Sequence, residues 1–229
     1  MRSPSQKVNQ PNKYLKPKPV IMVMACVILL LGCIGNQHMH YLYVFTDQVM
    51  TDYYKNQEMA SPLVNQVISK IKVERWRYYV MNASLLIIKV SVISVALCIG
   101  FELADKAYSL GTNLWLVVCS EYMSLIYSWY KFYGLALSDT IDLESALTYA
   151  PLSLLSITNH TTSFWWYTLG SINLFQLAQA MVLAVLTIKH YRHSWQYSFK
   201  VAMVVYGVCW FLWVVLVTSL LFYGQDFTK

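Results

Sequence analysis

The sequence predicts an all-α protein, an integral membrane helical bundle with about five transmembrane helices and an additional interfacial or re-entrant segment. Hydrophobic residues make up 57% of the 229 positions and charged residues only 12%, a composition typical of chains surrounded by lipid. The apolar residues also fall in separated blocks, each near the ~20 residues that a helix needs to cross the hydrocarbon core. The bilayer is therefore the expected main partner of this chain.

Five apolar blocks have a suitable length, and they divide the chain. They lie at residues 19–35, 79–101, 113–137, 164–188 and 199–223. We accordingly expect a basic cytoplasmic tail (1–18), a first transmembrane helix (19–35), an extramembrane connector (36–78), a four-helix membrane core (79–223) and a short tail (224–229).

The first block also has some features of a signal peptide. It follows several lysines and ends in Leu30-Leu31-Gly32-Cys33, which resembles a bacterial lipobox. Leu31 is bulkier than the residue that lipoproteins have at its position, and four further blocks follow. We expect a retained anchor, with cleavage and lipidation of Cys33 as the alternative.

The distribution of Lys and Arg predicts an integral membrane protein with a cytoplasmic N-terminus, because positive residues tend to stay in the cytoplasm. The tail carries five basic residues and no acid: Arg2, Lys7, Lys13, Lys16 and Lys18. The connector after the third block is acidic, with Asp139, Asp142 and Glu144, whereas the one after the fourth block carries Lys189 and Arg192. The basic run at residues 70–77 conflicts with this orientation, since it falls on the outer side.

Two segments outside the blocks have apolar patterns of their own. Residues 64–77 form an amphipathic helix in which Val64, Val67, Ile68 and Ile71 share one face, and such a helix can lie on the membrane surface. Residues 143–157 are apolar but too short to cross, and Pro151 interrupts them. We expect this second segment to be interfacial or re-entrant and to pack against the bundle, because irregular backbone at membrane depth needs cover.

Two charged residues lie inside predicted spans. Lys89 is near the middle of the second block and Glu121 lies in the third. A charge in the hydrocarbon core costs a few kcal/mol and needs a partner. Consecutive antiparallel spans bring Glu121 to within about two helical turns of the membrane midplane, near Lys89, so we predict an intramembrane polar pair. Helical side chains lean toward their own N-termini, which leaves direct contact between the two open.

Polar and small residues recur at helical spacing in two blocks, which predicts faces turned toward protein. In the third block, Glu121 is followed by Ser124, Ser128 and Lys131. In the fourth, the same spacing links Gly170, Asn173, Gln176, Ala180, Ala184 and Thr187. We expect Ser124, Ser128, Lys131, Asn173 and Gln176 to bond and pack between helices.

Catalytic, metal and nucleic-acid functions receive no support from motifs. The sequence lacks a nucleophile elbow, a phosphate-binding glycine loop and the HExxH zinc motif. The histidine pairs at 38/40 and 190/193 have no completing ligand at familiar spacing, so we expect no metal and no cofactor. The formal charge of +6 comes from basic clusters beside apolar blocks, which does not indicate nucleic-acid binding. A membrane-embedded enzyme would have to gather remote residues such as Asp142, Glu144 and His160.

From Glu121 onward the pattern resembles small five-span membrane proteins of Bacteroidetes that are loosely similar to the Yip family. The residues that carry the resemblance are Glu121, Asp142-Leu143, the run Tyr149-Ala150-Pro151-Leu152-Ser153-Leu154-Leu155, Ile172-Asn173-Leu174-Phe175, and Tyr206-Gly207. The resemblance implies a five-helix bundle in a bacterial inner membrane with a cytoplasmic N-terminus. Eukaryotic members have a role in vesicle traffic through small GTPases, which we do not carry over to this chain. Gln176 departs from the pattern, because family members often have an acidic residue there.

Two functional hypotheses follow. The first is a non-enzymatic membrane protein that packs against or organises a membrane-protein partner or a second copy of itself. The second is a small transporter or permease subunit that uses Lys89 and Glu121. We favour the first, because the spans contain one charge pair, no second acid beside it and no expected helix break.

Overall fold

The helical fold is seen in a computed structural model that describes residues 18–56, 58–103, 109–138, 142–158, 165–191 and 194–226. The helices in these ranges are α1 (Pro19–Val44), α2 (Asp47–Asn56), α3 (Ser61–Glu102), α4 (Leu110–Ala136), α5 (Leu143–Thr148), α6 (Leu154–Thr158), α7 (Trp165–Ser171), α8 (Leu174–Tyr191) and α9 (Trp195–Asp226). The described residues contain no named strand. The predicted all-α bundle is confirmed. The basic tail before Lys18 lies outside the described residues.

Four of the described helices are long and apolar enough to cross a membrane. They are α1, α3, α8 and residues Trp195–Leu216 of α9. Helix α4 has 27 residues but is not among the four, because Asn113, Glu121 and Lys131 make it less apolar. By length and composition the count is thus four, where the sequence predicts about five.

Helix α4 runs parallel to α1 over most of its length. The Tyr122 hydroxyl donates to the carbonyl of Ala25 at 2.8 Å, and the Tyr43 hydroxyl donates to the carbonyl of Ala136 at 2.9 Å. The first bond joins the early part of α1 to the middle of α4, and the second joins the late parts of both helices. The start of α1 and the start of α4 therefore lie at the same end of the bundle.

The main core surrounds α4, which packs against α1, α3 and α8. Leu116, Val117 and Val118 of α4 are buried there with Leu97 of α3 and Leu183 of α8. Close packing of this kind holds helices together in lipid, where apolar side chains gain little from leaving the solvent. The residues of α4 are consequently positioned by three neighbouring helices.

The connector predicted at residues 36–78 is mostly helical in its described part, and its two ends continue the helices of the flanking spans. Helix α1 continues to Val44, and α3 begins at Ser61, so the predicted amphipathic helix 64–77 is the first part of a 42-residue helix about 63 Å long. Val64 and Ile68 are buried against Met50 of α2. The predicted apolar face thus packs on α2. A position of this helix on the membrane surface stays a prediction.

The segment at residues 143–157 forms two short helices that pack against the bundle, as predicted. The Asp142 carboxylate caps α5 by accepting from the backbone N–H of Ser145 at 3.3 Å. Leu143 and Ala146 of α5 are buried with Val44 of α1 and Leu135 of α4. Pro151 lies in the turn between α5 and α6. The segment is thus interrupted at the proline, as the sequence predicts.

Candidate functional site: the polar core and the broken helix

Lys89 and Glu121 form a direct ion pair between α3 and α4. The Lys89 Nζ lies 2.9 Å from Glu121 Oε1 and 3.0 Å from Oε2. The Glu121 side chain is fully buried, and that of Lys89 is 18% exposed. Because removing a charge from water is costly unless it is paired, the contact explains how both residues can stay inside the bundle.

The serine part of the α4 stripe points into the bundle and reaches α8. The Ser124 hydroxyl donates to Gln179 Oε1 at 2.7 Å, and Gln179 is completely buried. Ser128 is half-buried, as is Lys131. Within the described part of the chain, no carboxylate forms an ion pair with Lys131. The stripe thus faces protein as predicted, although its α8 partner is Gln179 and neither Asn173 nor Gln176.

A second polar contact on α4 was not predicted. Asn113 is fully buried and accepts a hydrogen bond from the Tyr191 hydroxyl at 2.8 Å, while its Nδ2 lies 3.1 Å from the Cys98 Sγ. Asn113 stands eight residues before Glu121, so it continues the same stripe by two helical turns. That spacing was the signal that could have revealed it.

The helix that the sequence predicts at residues 164–188 is broken. Helix α7 ends at Ser171 and α8 begins at Leu174. At the break the backbone pairs with residues 152–154: Leu154 N–H donates to Ile172 O at 3.0 Å, and Leu174 N–H donates to Leu152 O at 3.1 Å. The expectation of an unbroken fourth span is wrong, because this backbone finds its partners in residues 152–154 and does not need to stay helical.

Asn173 and Gln176 have roles that follow from the break. The Asn173 Oδ1 accepts from the backbone N–H of Gln176 at 2.9 Å, so Asn173 caps α8. The Gln176 side chain accepts from the Tyr206 hydroxyl of α9 at 2.6 Å. Farther along α8, the predicted contact face is buried, with Ala180, Ala184 and Thr187 at 4% exposure or less.

An apolar cavity of about 520 Å³ lies beside the break, between α6, α8 and α9. Its wall includes Leu154, Ile172, Leu177 and Trp210, with Tyr206 among its few polar residues. Several wall side chains are open to the surroundings, since Leu177 is 54% and Ile157 is 77% exposed. The cavity therefore opens on the surface that the apolar helices present to lipid.

Three of the segments that carry the resemblance to the Yip family lie together at this cavity. Leu152 to Leu154, Ile172 to Leu174 and the pair Tyr206-Gly207 all line it. The sequence separates these segments by about twenty and thirty residues, and the crossing at residues 153 and 173 joins the first two.

Residues proposed for other chemistry are not gathered into a site that the structure describes. His38 lies 3.1 Å from the Tyr79 hydroxyl, and the His40 ring packs on Phe132. Among the described residues, no three His, Cys, Asp or Glu side chains are placed to hold a metal ion. His160 and His193 lie outside the described residues.

Comparisons with known proteins found no family model, no curated protein and no solved structure that matches this chain. The similarity to the Yip family therefore stays a prediction.

Proposed function

We propose that this chain is a non-enzymatic integral membrane protein that binds another membrane-embedded chain at the cavity beside the α8 break. The observation that carries the proposal is the apolar, laterally open cavity of about 520 Å³. A helix from a second chain would fill such a groove by close packing, which is the main attraction between helices in lipid. The described wall contains no charged residue, which suits the apolar surface of a membrane helix.

Three polar contacts between helices of the bundle support this proposal. Glu121 is held by Lys89, Ser124 by Gln179, and Gln176 by Tyr206. Bonds of this kind link α3 to α4, α4 to α8, and α8 to α9. They fix how the helices pack and leave the cavity as the open feature of this side of the bundle.

Site-specific photocrosslinking in native membranes tests the proposal. A crosslinking residue at Leu177, in the cavity wall, is expected to give an adduct with a second protein chain. Ile28 on α1 is the matched control, because both side chains are 54% exposed. Adducts to lipid alone, or equal protein adducts at both positions, would contradict the proposal. The mass of the adduct separates a second copy from a different partner.

Transport is the second candidate function, and the broken helix favours it. Interrupted membrane helices line substrate sites in many transporters, and Lys89 also lines a groove of about 190 Å³ between α3 and α9. If the chain carries an ion or small solute, Lys89→Met and Glu121→Gln should abolish flux into proteoliposomes. Flux that is unchanged by both substitutions would exclude a transport role for this pair.

We also propose that the protein lies in a bacterial inner membrane with its N-terminus in the cytoplasm. Lys18 precedes α1, and Lys189 lies in the last turn of α8. Both are at one end of the bundle, because α1 is parallel to α4 while Asn113 near the start of α4 contacts Tyr191 at the end of α8. At the opposite end, Lys72 pairs with Asp47 at 2.6 Å. Lys70 and Arg75, at that same end, form no ion pair among the described residues. The basic residues beside α1 and α8 therefore support this orientation, and the basic run of α3 opposes it.

A further inference from the structure

A second pocket, of about 290 Å³, lies between α1 and α3, away from the broken helix. Gln37 and Tyr41 line it from α1, and Arg75, Tyr79 and Asn82 line it from α3. This wall contains a cation and several hydrogen-bonding groups. It therefore differs from the almost wholly apolar cavity beside α8.

The pocket lies where α3 leaves its apolar block. The basic run of α3 ends at Arg77, and the apolar stretch starts two residues later, at Tyr79. Trp76 and Tyr78, at this boundary, are 57% and 54% exposed. Tyrosine and tryptophan collect at the level of lipid headgroups, so a bilayer around α3 would place its phosphates beside the pocket.

Arg75 supplies positive charge that the protein does not neutralise. Two of its neighbours are paired, Lys72 with Asp47 and Arg77 with Glu74. In the described ranges Arg75 has no carboxylate partner, and its guanidinium lies 5.7 Å from the centre of the Tyr41 ring. A guanidinium fits phosphate oxygens with two parallel hydrogen bonds.

Two polar atoms of the residues that line the pocket lack a hydrogen-bond partner within the described part of the chain. The Tyr41 hydroxyl and the Gln37 Oε1 are buried and have no hydrogen-bond partner among the residues described. Buried polar groups in proteins are nearly always hydrogen-bonded. A phosphate can accept from the Tyr41 hydroxyl, and a hydroxyl on the same headgroup can donate to Gln37.

We propose that this pocket binds the headgroup of an anionic, hydroxyl-bearing bilayer phospholipid. The phosphate lies between Arg75 and Tyr41, and the headgroup hydroxyl bonds to Gln37. This inference does not depend on the partner-binding role proposed for the cavity beside α8. Lipid held here would fix α3 against α1 at the membrane surface.

Lipid titration of the purified full chain, read by native mass spectrometry, tests the proposal. Phosphatidylglycerol is expected to bind more tightly than phosphatidylcholine, whose headgroup has no hydrogen-bond donor. Arg75→Gln should weaken phosphatidylglycerol binding about tenfold or more, because a charge-assisted bond is lost. Tyr41→Phe removes only a hydroxyl and should weaken it by a smaller factor.

Lys70→Gln is the matched control, since it removes one positive charge from the same helix at an exposed position outside the pocket wall. Binding should be nearly unchanged in this variant. Equal losses in Arg75→Gln and Lys70→Gln would reduce the effect to general charge and overturn the proposal. Equal affinity for the two lipids would do the same. Displacement of the lipid by millimolar inorganic phosphate would overturn the lipid assignment in favour of a free anion.

Discussion

At the scale of single residues, the Lys89–Glu121 pair decides how α3 and α4 fit together. Glu121 is fully buried, and its carboxylate receives the Lys89 ammonium within 3.0 Å. Forming a buried pair gains little over an apolar contact, but breaking one leaves an isolated charge. The pair therefore acts mainly to specify the register of the two helices.

We expect Lys89→Met and Glu121→Gln each to destabilise the bundle by about 3–5 kcal/mol, because each leaves one member of the pair without its partner. The double variant should be much less destabilised than the sum of the two. Thermal unfolding in detergent, followed by circular dichroism, measures all three relative to the unchanged chain.

Lys131→Met serves as the control for this cycle. Lys131 lies ten residues after Glu121 on the same helix, about 15 Å away, where substitutions are expected to act independently. Its effect should add to that of Glu121→Gln. If the Lys89 and Glu121 effects were also additive, the ion pair would not contribute to stability as argued.

At the scale of elements, the approach of α3 to α9 depends on the lack of a side chain at Gly100. A Cβ at this position would lie 2.8 Å from the Val205 Cγ2 and 3.4 Å from the Val201 Cγ1. β-Branched side chains have few alternative rotamers, so α9 itself would have to shift. Small residues are common where membrane helices cross, because they let the two backbones approach closely.

Gly100→Ala is therefore expected to destabilise the bundle by about 1–3 kcal/mol through overpacking. Gly207→Ala on α9 is the matched substitution, because a Cβ there meets no atom within 4 Å. It should be neutral or stabilising by up to about 1 kcal/mol, since alanine favours the helix. Thermal midpoints in one detergent distinguish the two, and equal midpoints would argue against a close α3–α9 contact.

The helical content and the span positions could be predicted from sequence because they depend on apolar length. The continuity of α3 is also visible in hindsight: no Gly or Pro occurs from Leu63 to Ile99, and Pro62 lies at the helix start. An amphipathic and an apolar pattern can share one helix when nothing between them ends it. The change from an amphipathic to an apolar pattern near residue 79 therefore does not mark the end of a helix.

The break in the fourth span depends on a distant part of the chain, and sequence patterns capture such contacts poorly. The local signal was Asn173 followed three residues later by Gln176, which is the spacing of a helix cap. The deciding contact is the backbone pairing with residues 152–154. For the candidate site, the Lys89–Glu121 pair could be predicted because the two helices are consecutive. The contact of Asn113 with Tyr191 spans 78 residues and could not.

At the scale of the whole molecule, the open question is whether α4 crosses the membrane. It runs beside α1 from the level of Ala25 to that of Val44, and α1 is one of the four helices apolar enough to cross. The Glu121 carboxylate of α4 is paired with Lys89, and the Asn113 and Ser124 side chains are hydrogen-bonded to neighbouring helices. Polar groups satisfied in this way need not face lipid, so we expect α4 to cross as a fifth span.

Five crossings place the two termini on opposite sides of the membrane, whereas four place them on the same side. With the N-terminus in the cytoplasm, a reporter that is active only outside should be active after residue 229 and inactive at the N-terminus. Fusions after residues 103 and 138 lie on the two sides of α4. The fusion after residue 138 should be active, and the one after residue 103 should be inactive. A cytoplasm-specific fluorescent reporter at the same positions should give the reverse pattern.

Equal signals on the two sides of α4 would mean that it lies within the bundle without crossing. Activity at the N-terminus together with inactivity after 229 would reverse the orientation and bring the basic run of α3 into the cytoplasm.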